Sequence, residues 1–530
     1  MANGPDSAQA LEERLQRLNE IGSALSVERD LNLLLERILQ EARGFTRADA
    51  GTLYLLRDDH LQFEIAQNDT LRSFVGGRHG ATNLPPPVPM TKGSASGYAA
   101  VTGETLNIAD VYTDEVYRFE GPKQYDRASG YRTQSLLVVP MRDHDDQTIG
   151  VLQLLNAKDP ETDEPVAFSS ADEAVLKSLA SQAAVAINNV RLIQETEQLF
   201  ESFVQVMATA LDERSADTGG HVRRVMEMAM VVAAAVNEAT EGPFAEVGFS
   251  AEEMNELRIA AWMHDIGKIT QQEWIVDKPT KLTTLYDRID LLRTRMDFIR
   301  SATENEWLRR KVELLEAGRP VTAELDEEYG RRIELIADES RFLERINEPG
   351  EFMDEEDLER LREIAAKTFQ GSEGERTYLT DDELENLSIR KGSLTRDEFQ
   401  TIKDHASMSI KMLGQIPFTR KLSQVPAIAG AHHEKLDGTG YPLGLKAEEI
   451  GLQARILALV DMFESMSADD RPYRARPMPR EMILRFLKED GENNLIDKDL
   501  VELFVERELF VKLDEIKLRM VEEAKVAGAE

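Results

Sequence analysis

The sequence predicts a multidomain chain: a mixed α/β region, a long connecting helix, and a helix-rich region that fills the second half. Three observations predict it. Short segments rich in leucine, valine and aromatic residues (AGTLYLL, QFEIAQ, SLLVVPM, GVLQLLNA) lie between turn signals and read as strands, preceded by the helical segment LNLLLERILQEARGF. No proline or glycine occurs between Val166 and Thr218, which permits one uninterrupted helix. Beyond it, apolar runs such as Met228 to Val236 have helical length and are far too short to span a bilayer.

Composition narrows the chemistry. With 530 residues, 42% hydrophobic and 30% charged, the chain is too long for one core and has the balance of globular, non-membrane material. It contains no cysteine, which removes disulfides, thiolate metal sites and cysteine nucleophiles together; any metal must be held by His, Asp and Glu. A formal net charge of −35 opposes binding to polymeric nucleic acid or to anionic lipid, so a phosphate-bearing ligand needs locally placed positive charge. The opening residues carry neither a basic nor an apolar leader segment, and a cytoplasmic location is expected.

Leu11, Leu15, Leu18 and Ile21 stand at helical spacing and predict a lead helix within residues 1–30. Residues 31–189 form the α/β region. On LNIADVY from Leu106, GYRTQSLLVVPM from Gly130, Asn156 at a strand end, and Phe168, Asp172 and Glu173 ahead of a helix, it resembles a GAF domain. The resemblance implies an antiparallel sheet with helices, a sensory role, and a small-molecule ligand as partner. In cyclic-nucleotide-binding members an Asn-Lys pair precedes the Phe; here Ala157 fills the lysine position and Lys158 comes one residue late. The simpler reading makes Phe168 a core anchor, with Ser169 or Ser170, Asp172 and Glu173 capping the next helix. The ligand is unassigned.

Within the connecting helix, taken as residues 190–214, Leu192, Leu199 and Val206 recur every seven residues, interleaved from Asn189 onward with Thr196, Phe203 and Ala210. That seam suits a parallel coiled coil between two chains, hence a homodimer, as well as packing onto the helix's own domain.

Residues 215–530 carry the chemistry. Asp217 and His221 stand four apart around Gly219 and Gly220; His264 and Asp265 follow an apolar helix and lead into Lys268; His405, the adjacent pair His432 and His433, and Asp461 come later, the last two motifs also after apolar runs. Five of the eight histidines fall in this set, while His60, His79 and His144 sit in polar turns and are given no role. Imidazoles and a lone carboxylate buried without partners cost free energy that coordination removes. So many donors exceed one tetrahedral ion and suggest two or three ions sharing a bridging carboxylate, for which Asp265 is the candidate.

The order His, HDIGK, His, HHEKLDGTGYP, Asp resembles the HD-GYP family of metal-dependent phosphohydrolases, from about Phe200 to the C-terminus apart from an insertion. The resemblance implies an all-helical domain that hydrolyses cyclic di-GMP to pGpG and in some cases GMP. It also implies two or three divalent ions, iron or manganese, held by Asp217, His221, His264, Asp265, His405, His432, His433 and Asp461. The family's position at Asp217 is usually Glu in three-metal members. Lys268 and Asp265 become catalytic, and Lys268, Tyr441, Arg471 and Arg474 contact substrate. Gly438, Gly440 and Pro442 read as a turn shaping the wall of the site. A hydrolase of another cyclic dinucleotide or nucleotide, and an inactive cyclic di-GMP receptor or scaffold, stay open at this point.

Between HDIGK and His405 the family has only a short linker, whereas here Val276 and Ser388 look like the ends of one pried open. Leu285, Ile289, Leu292, Met296 and Ile299 form one stripe; Ile333, Ile336, Leu343 and Ile346 form another after a turn at Gly318 to Pro320. An antiparallel helical hairpin with further short helices is expected over about residues 283–390.

Overall fold

The computed structural model describes residues 16–527 apart from 17–18, 78–84, 213–219, 350–351, 372–373 and 469–477. The chain divides into two units, Met1–Phe200 and Glu201–Glu530.

In the first unit a helix over residues 19–27 precedes α1 (Leu31–Thr46), whose N-cap Asp30 accepts from the Leu33 amide. The strands are β1 (Ala48–Arg57), β2 (His60–Asn68), β3 (Ser73–Gly76), β4 (Val88–Pro89), β5 (Leu106–Ile108), β6 (Leu136–Arg142), β7 (Thr148–Lys158) and β8 (Pro165–Val166). They form one antiparallel sheet in the order β3-β2-β1-β7-β6-β5, with β4 on β2 and β8 on β7. In register, Leu53 faces Leu152 and Gly51 faces Leu154, and these leucines pack with Leu34, Ile38, Leu176 and Ile187 of the helices on one side. Tyr54, Val151 and Val138 point the other way, toward α2 (Ala95–Thr102). Cover on both faces explains why GTLYLL and GVLQLL are nearly continuous apolar runs rather than alternating ones.

Phe168 is buried in the first of these cores, and Ser169 exchanges hydrogen bonds with Asp172 ahead of α4 (Ser170–Asp212), so both residues serve the helix start. Asn156 is likewise architectural: its Oδ1 accepts from the amides of Gln134 and Ser135 while its Nδ2 donates to Arg132 O and Tyr131 Oη. A cavity of about 280 Å³ lies between the sheet and α2, lined among others by Thr52, Tyr54, Gln67, Asn68 and Gln153.

The second unit is helical around α5 (His221–Asn237), α6 (Ala251–Met263), α12 (Arg396–Leu413), α13 (Val425–Gly430), α14 (Leu452–Ser467), α15 (Arg480–Glu492), α16 (Lys498–Glu506) and α17 (Val511–Ala527). Helix α5 packs on α6 and α14, and α13 packs on α6, α12 and α14. No helix among the described residues is long and apolar enough to cross a membrane.

Between α6 and α12 come α7 (Glu273–Val276), α8 (Ile289–Glu316), α9 (Ala323–Asn347), α10 (Glu355–Ala365), a two-stranded hairpin of β9 (Thr368–Gly371) and β10 (Gly374–Thr377), and α11 (Asp381–Leu387). Its own core runs from Leu282 to Leu387 and includes Ile289, Leu292, Met296, Ile299, Ile336, Leu343 and Ile346. Helices α8 and α9 are antiparallel: Arg293 pairs with Glu344 at one end, and Trp307 stacks on Tyr329 at the other. Leu285, expected in the first stripe, precedes the helix and is exposed, because α8 begins only after Arg288. The hairpin is an addition to the expected helices.

Candidate metal centre

Three helix ends and two helix interiors converge on one buried cluster. Helix α6 is started by a Ser250–Glu253 capping box and stops at His264, where residues 266–270 tighten into a 3₁₀ turn. That change of winding carries Asp265 past the helix end and brings Lys268 back onto it, its Nζ 2.5 Å from Asp265 Oδ2. Gly267 is required: a Cβ there would lie 2.0 Å from the carbonyl oxygen of His405. The closeness lets Ser409 bridge the two segments, its Oγ accepting from the Gly267 amide (2.9 Å) and donating to His264 O (2.8 Å). His405 and Asp461 project from α12 and α14, His221 opens α5, and His432 and His433 follow the end of α13.

The two oxygens of Asp265 face different histidine groups. Oδ2 lies 3.3 Å from His264 Nε2 and 3.6 Å from His221 Nε2, whereas Oδ1 lies 3.3 Å from His405 Nε2 and 3.9 Å from His432 Nε2. Asp461 Oδ1 approaches His221 Nε2 (3.3 Å) and His264 Nε2 (3.7 Å). Donor atoms of His221, His264 and Asp265 all lie within 4.8 Å of one another, and so do those of His405, His432 and His433.

The Nδ1 groups of His264, His405 and His432 donate to the carbonyls of Ala261, Ile402 and Ala429, at 2.8, 2.6 and 2.6 Å. A carbonyl only accepts, so the neutral ring keeps its lone pair on Nε2, turned inward. His264 Nε2 is buried and has no hydrogen-bond partner despite the nearby carboxylates. An orphaned imidazole nitrogen, aimed at a carboxylate that faces two ways, fits a bound divalent cation.

Charge is arranged to the same end. Burial favours the neutral acid at Asp265, but the Lys268 ammonium and the His264 ring outweigh it and hold the carboxyl well below the usual range. Asp461, equally buried, is held down by His221 and His264. Burial pulls His264 down too, yet Asp265 and then Asp461 reverse this and bring it to about 9. Burial, reinforced by neighbouring rings, pushes His432 well below its ordinary value, and burial takes His433 to about 4. One half of the cluster therefore attracts positive charge while the other presents neutral donors.

Tyr441 packs against the His433 ring, with centroids 4.7 Å apart, and burial beside Asp461 and Asp265 raises its hydroxyl so that it stays a donor. Its loop is tied by Glu434, which accepts from the amides of Leu443, Gly444 and Leu445. Gly440 is needed there, since a Cβ would meet the Lys435 amide at 2.3 Å. Asp217, Arg471 and Arg474 lie outside the described residues.

Sequence reasoning missed four neighbours. Glu464 is buried against His221 and Arg224 against Glu464, Asp212 is buried with its carboxyl raised by burial to about 6 against the opposing pull of His221, and Lys403 lies over the Tyr441 ring at 5.2 Å. A helical wheel gives a signal for the first two: Glu464 is one turn beyond Asp461, and Arg224 one turn beyond His221.

Residues 30–187 match the GAF domain family, and residues 218–307 and 381–500 each match an HD domain family. The chain thus carries a GAF domain followed by an HD domain matched in two stretches, the first ending within α8 and the second beginning at α11. HD domains are metal-dependent, and the His and Asp clusters here could bind metal. Over 101 residues the chain is 40% identical to the 3'3'-cGAMP-specific phosphodiesterase 3 of Vibrio cholerae, covering 19% of this chain and 21% of that protein. It is 32% identical over 140 residues to a probable cyclic di-GMP phosphodiesterase of the same organism, covering 24% and 30%. With the cyclic di-GMP phosphodiesterase of Thermotoga maritima it shares 34% over 125 residues, covering 23% and 33%. The chain spans at most about a third of the length of these curated relatives.

Proposed function

For a chain that carries a GAF domain followed by an HD domain, we propose a phosphodiesterase that hydrolyses cyclic di-GMP to pGpG, under control of the GAF domain. The observation that supports it most is Asp265, whose two oxygens face two separate histidine groups, as a carboxylate bridging two ions requires. Two divalent ions, iron or manganese, bound to this donor set would neutralise the phosphoryl oxygens and lower the pKa of water beside them. His221, His264, Asp265 and Asp461 would hold one ion, and His405, His432 and His433, with the second oxygen of Asp265, the other.

The protein's own groups do the rest. Lys268, anchored on Asp265 Oδ2, sets an ammonium at the rim of the cluster, where it stabilises charge growing on a non-bridging phosphate oxygen. The Tyr441 ring offers a face to a guanine base, and its protonated hydroxyl a hydrogen bond. Arg471 and Arg474 are further candidates for the phosphates. The reaction belongs in the cytoplasm, as a second-messenger substrate requires.

The cavity of the first unit is the candidate ligand site of the GAF domain; among its described lining residues none is charged, which disfavours an anionic nucleotide there. Val185, Leu192, Leu199, Phe203 and Val206 are exposed along α4, with Asn189 and Thr196 between them, and this seam supports a homodimer through the connecting helix.

The test is metal analysis of the purified protein followed by incubation with cyclic di-GMP and with 3'3'-cGAMP, with products resolved by chromatography. Linear pGpG from cyclic di-GMP supports the proposal. Preference for 3'3'-cGAMP would move the substrate to the one named for the Vibrio cholerae relative. Metal binding without turnover of either would make the chain a receptor.

A further inference from the structure

Three of the clustered rings have their inward nitrogen fixed by the backbone: in His264, His405 and His432, Nδ1 donates to the carbonyl three residues earlier. His221 cannot use this device. It is the first residue of α5, with Gly220 as N-cap at φ +82°, so no turn of that helix precedes it to supply a carbonyl. Its Nδ1 meets the Glu464 carboxylate instead, through Oε2. Glu464 Oε1 accepts from Arg224 Nε at 2.6 Å. The four residues form a closed pair of helical turns: His221 and Arg224 from α5, Asp461 and Glu464 from α14, with the imidazole held between two carboxylates of one helix face.

Building on the metal-dependent reading above, we propose that Glu464 is a positioning residue that fixes the tautomer and direction of His221 and so sets the affinity of the His221, His264 and Asp265 half of the cluster for its ion. Glu464 is completely buried, and burying a carboxylate is costly unless cations and donors surround it. Arg224 and the imidazole meet that requirement. A carboxylate acceptor also makes the ring a stronger donor than a carbonyl does, so the half-site nearest Asp461 gains in basicity what the other half lacks. In the other half the His405 and His432 rings are fixed by backbone carbonyls instead, so the affinity of that half does not depend on a carboxylate at position 464.

The experiment is a titration of the metal-free full-length protein with Mn(II), followed by calorimetry and by electron paramagnetic resonance, in the parent and in Glu464→Gln. The parent binds in two phases. The variant keeps one phase unchanged, weakens the other by about 10–100-fold, and melts in its metal-free form within a few degrees of the parent. Glu464→Asp, which keeps the charge but withdraws it by a methylene, weakens the same phase less, and it carries the test should the Gln variant fail to fold. Two unchanged phases, or two phases weakened equally, overturn the proposal. A parent that binds no Mn(II) at all overturns instead the reading of the cluster as a metal site, so the two failures are distinguishable.

Discussion

The second unit buries charge in two places and in two different ways. At the root of the inserted region, fully buried Lys278 donates from Nζ to both oxygens of Glu398 at 2.8 Å and to Asn386 Oδ1 at 2.9 Å, while inside it Arg295 grips Glu383 through two nitrogens. Each of these charges is answered by a partner in the chain. In the cluster around Asp265, carboxylates and imidazoles crowd together at 3.3–3.9 Å, yet His264 Nε2 is left without a hydrogen bond. Both arrangements bring ionisable groups out of water, and only one closes on itself. The difference separates a scaffold, whose polar groups satisfy one another, from a site that needs something more to complete it.

The sharpest way to break that contrast is to remove the central carboxylate. Asp265→Asn keeps the shape but cannot bridge, and turnover is expected to fall by at least about 1,000-fold, with loss of metal from the purified protein. Because the scaffold closes without it, the metal-free variant is expected to melt within a few degrees of the metal-free parent. Wild-type turnover in Asp265→Asn would remove this residue from the reaction, and a collapse of the metal-free fold would place it in the scaffold.

The cluster was legible because histidine is scarce in this chain and the adjacent pairs follow apolar runs, where unpartnered polar side chains are costly. Strands and helices of the first unit were legible from apolar segments bounded by turns. What sequence hid was residues whose role depends on a distant partner. Glu464 looks like any glutamate on a helix until His221, 243 positions away, stands against it. Lys278 sits in a polar stretch, VDKPTK, that gives no hint of burial against Glu398. Strands TFQG and GERT carry no apolar alternation, so nothing in their residues announces the antiparallel pairing they make. Asn156 matched a ligand-binding position by spacing, yet its amide is spent on the backbone of residues 132 to 135.

The scaffold's own weak point offers a second, smaller test. Lys281 is buried too, but among the described residues its Nζ donates only to Leu387 O, at 3.4 Å, and burial takes its pKa from 10.5 to about 8, with Asp357 pulling the other way. Between pH 8 and 10.5 the unfolded chain therefore binds more protons than the folded one, and stability rises with pH across that window. The penalty is complete below pH 8. Lys281→Met is expected to abolish this rise and to stabilise the protein at pH 7 by on the order of 2 kcal/mol. Urea denaturation of both proteins at pH 7 and pH 10 checks it; parallel changes in the two would show that Lys281 titrates as though in water.

Ser409 lies where the two kinds of burial meet, and its removal is expected to have the smallest effect. Its hydroxyl is fully satisfied, as in the scaffold, but the groups it satisfies are the Gly267 amide and the His264 carbonyl, which hold the turn bearing Asp265 and Lys268. Ser409→Ala leaves the amide unpaired against α12, at a cost of about 1–2 kcal/mol in unfolding free energy. The ligand atoms themselves are untouched, so metal content is expected to stay at the parental value while turnover falls by less than about tenfold as Lys268 loses its fixed place. Loss of an ion from Ser409→Ala would mean that the turn, and not the donor set alone, confers affinity, and the boundary between scaffold and site would then have to be drawn one residue layer further out.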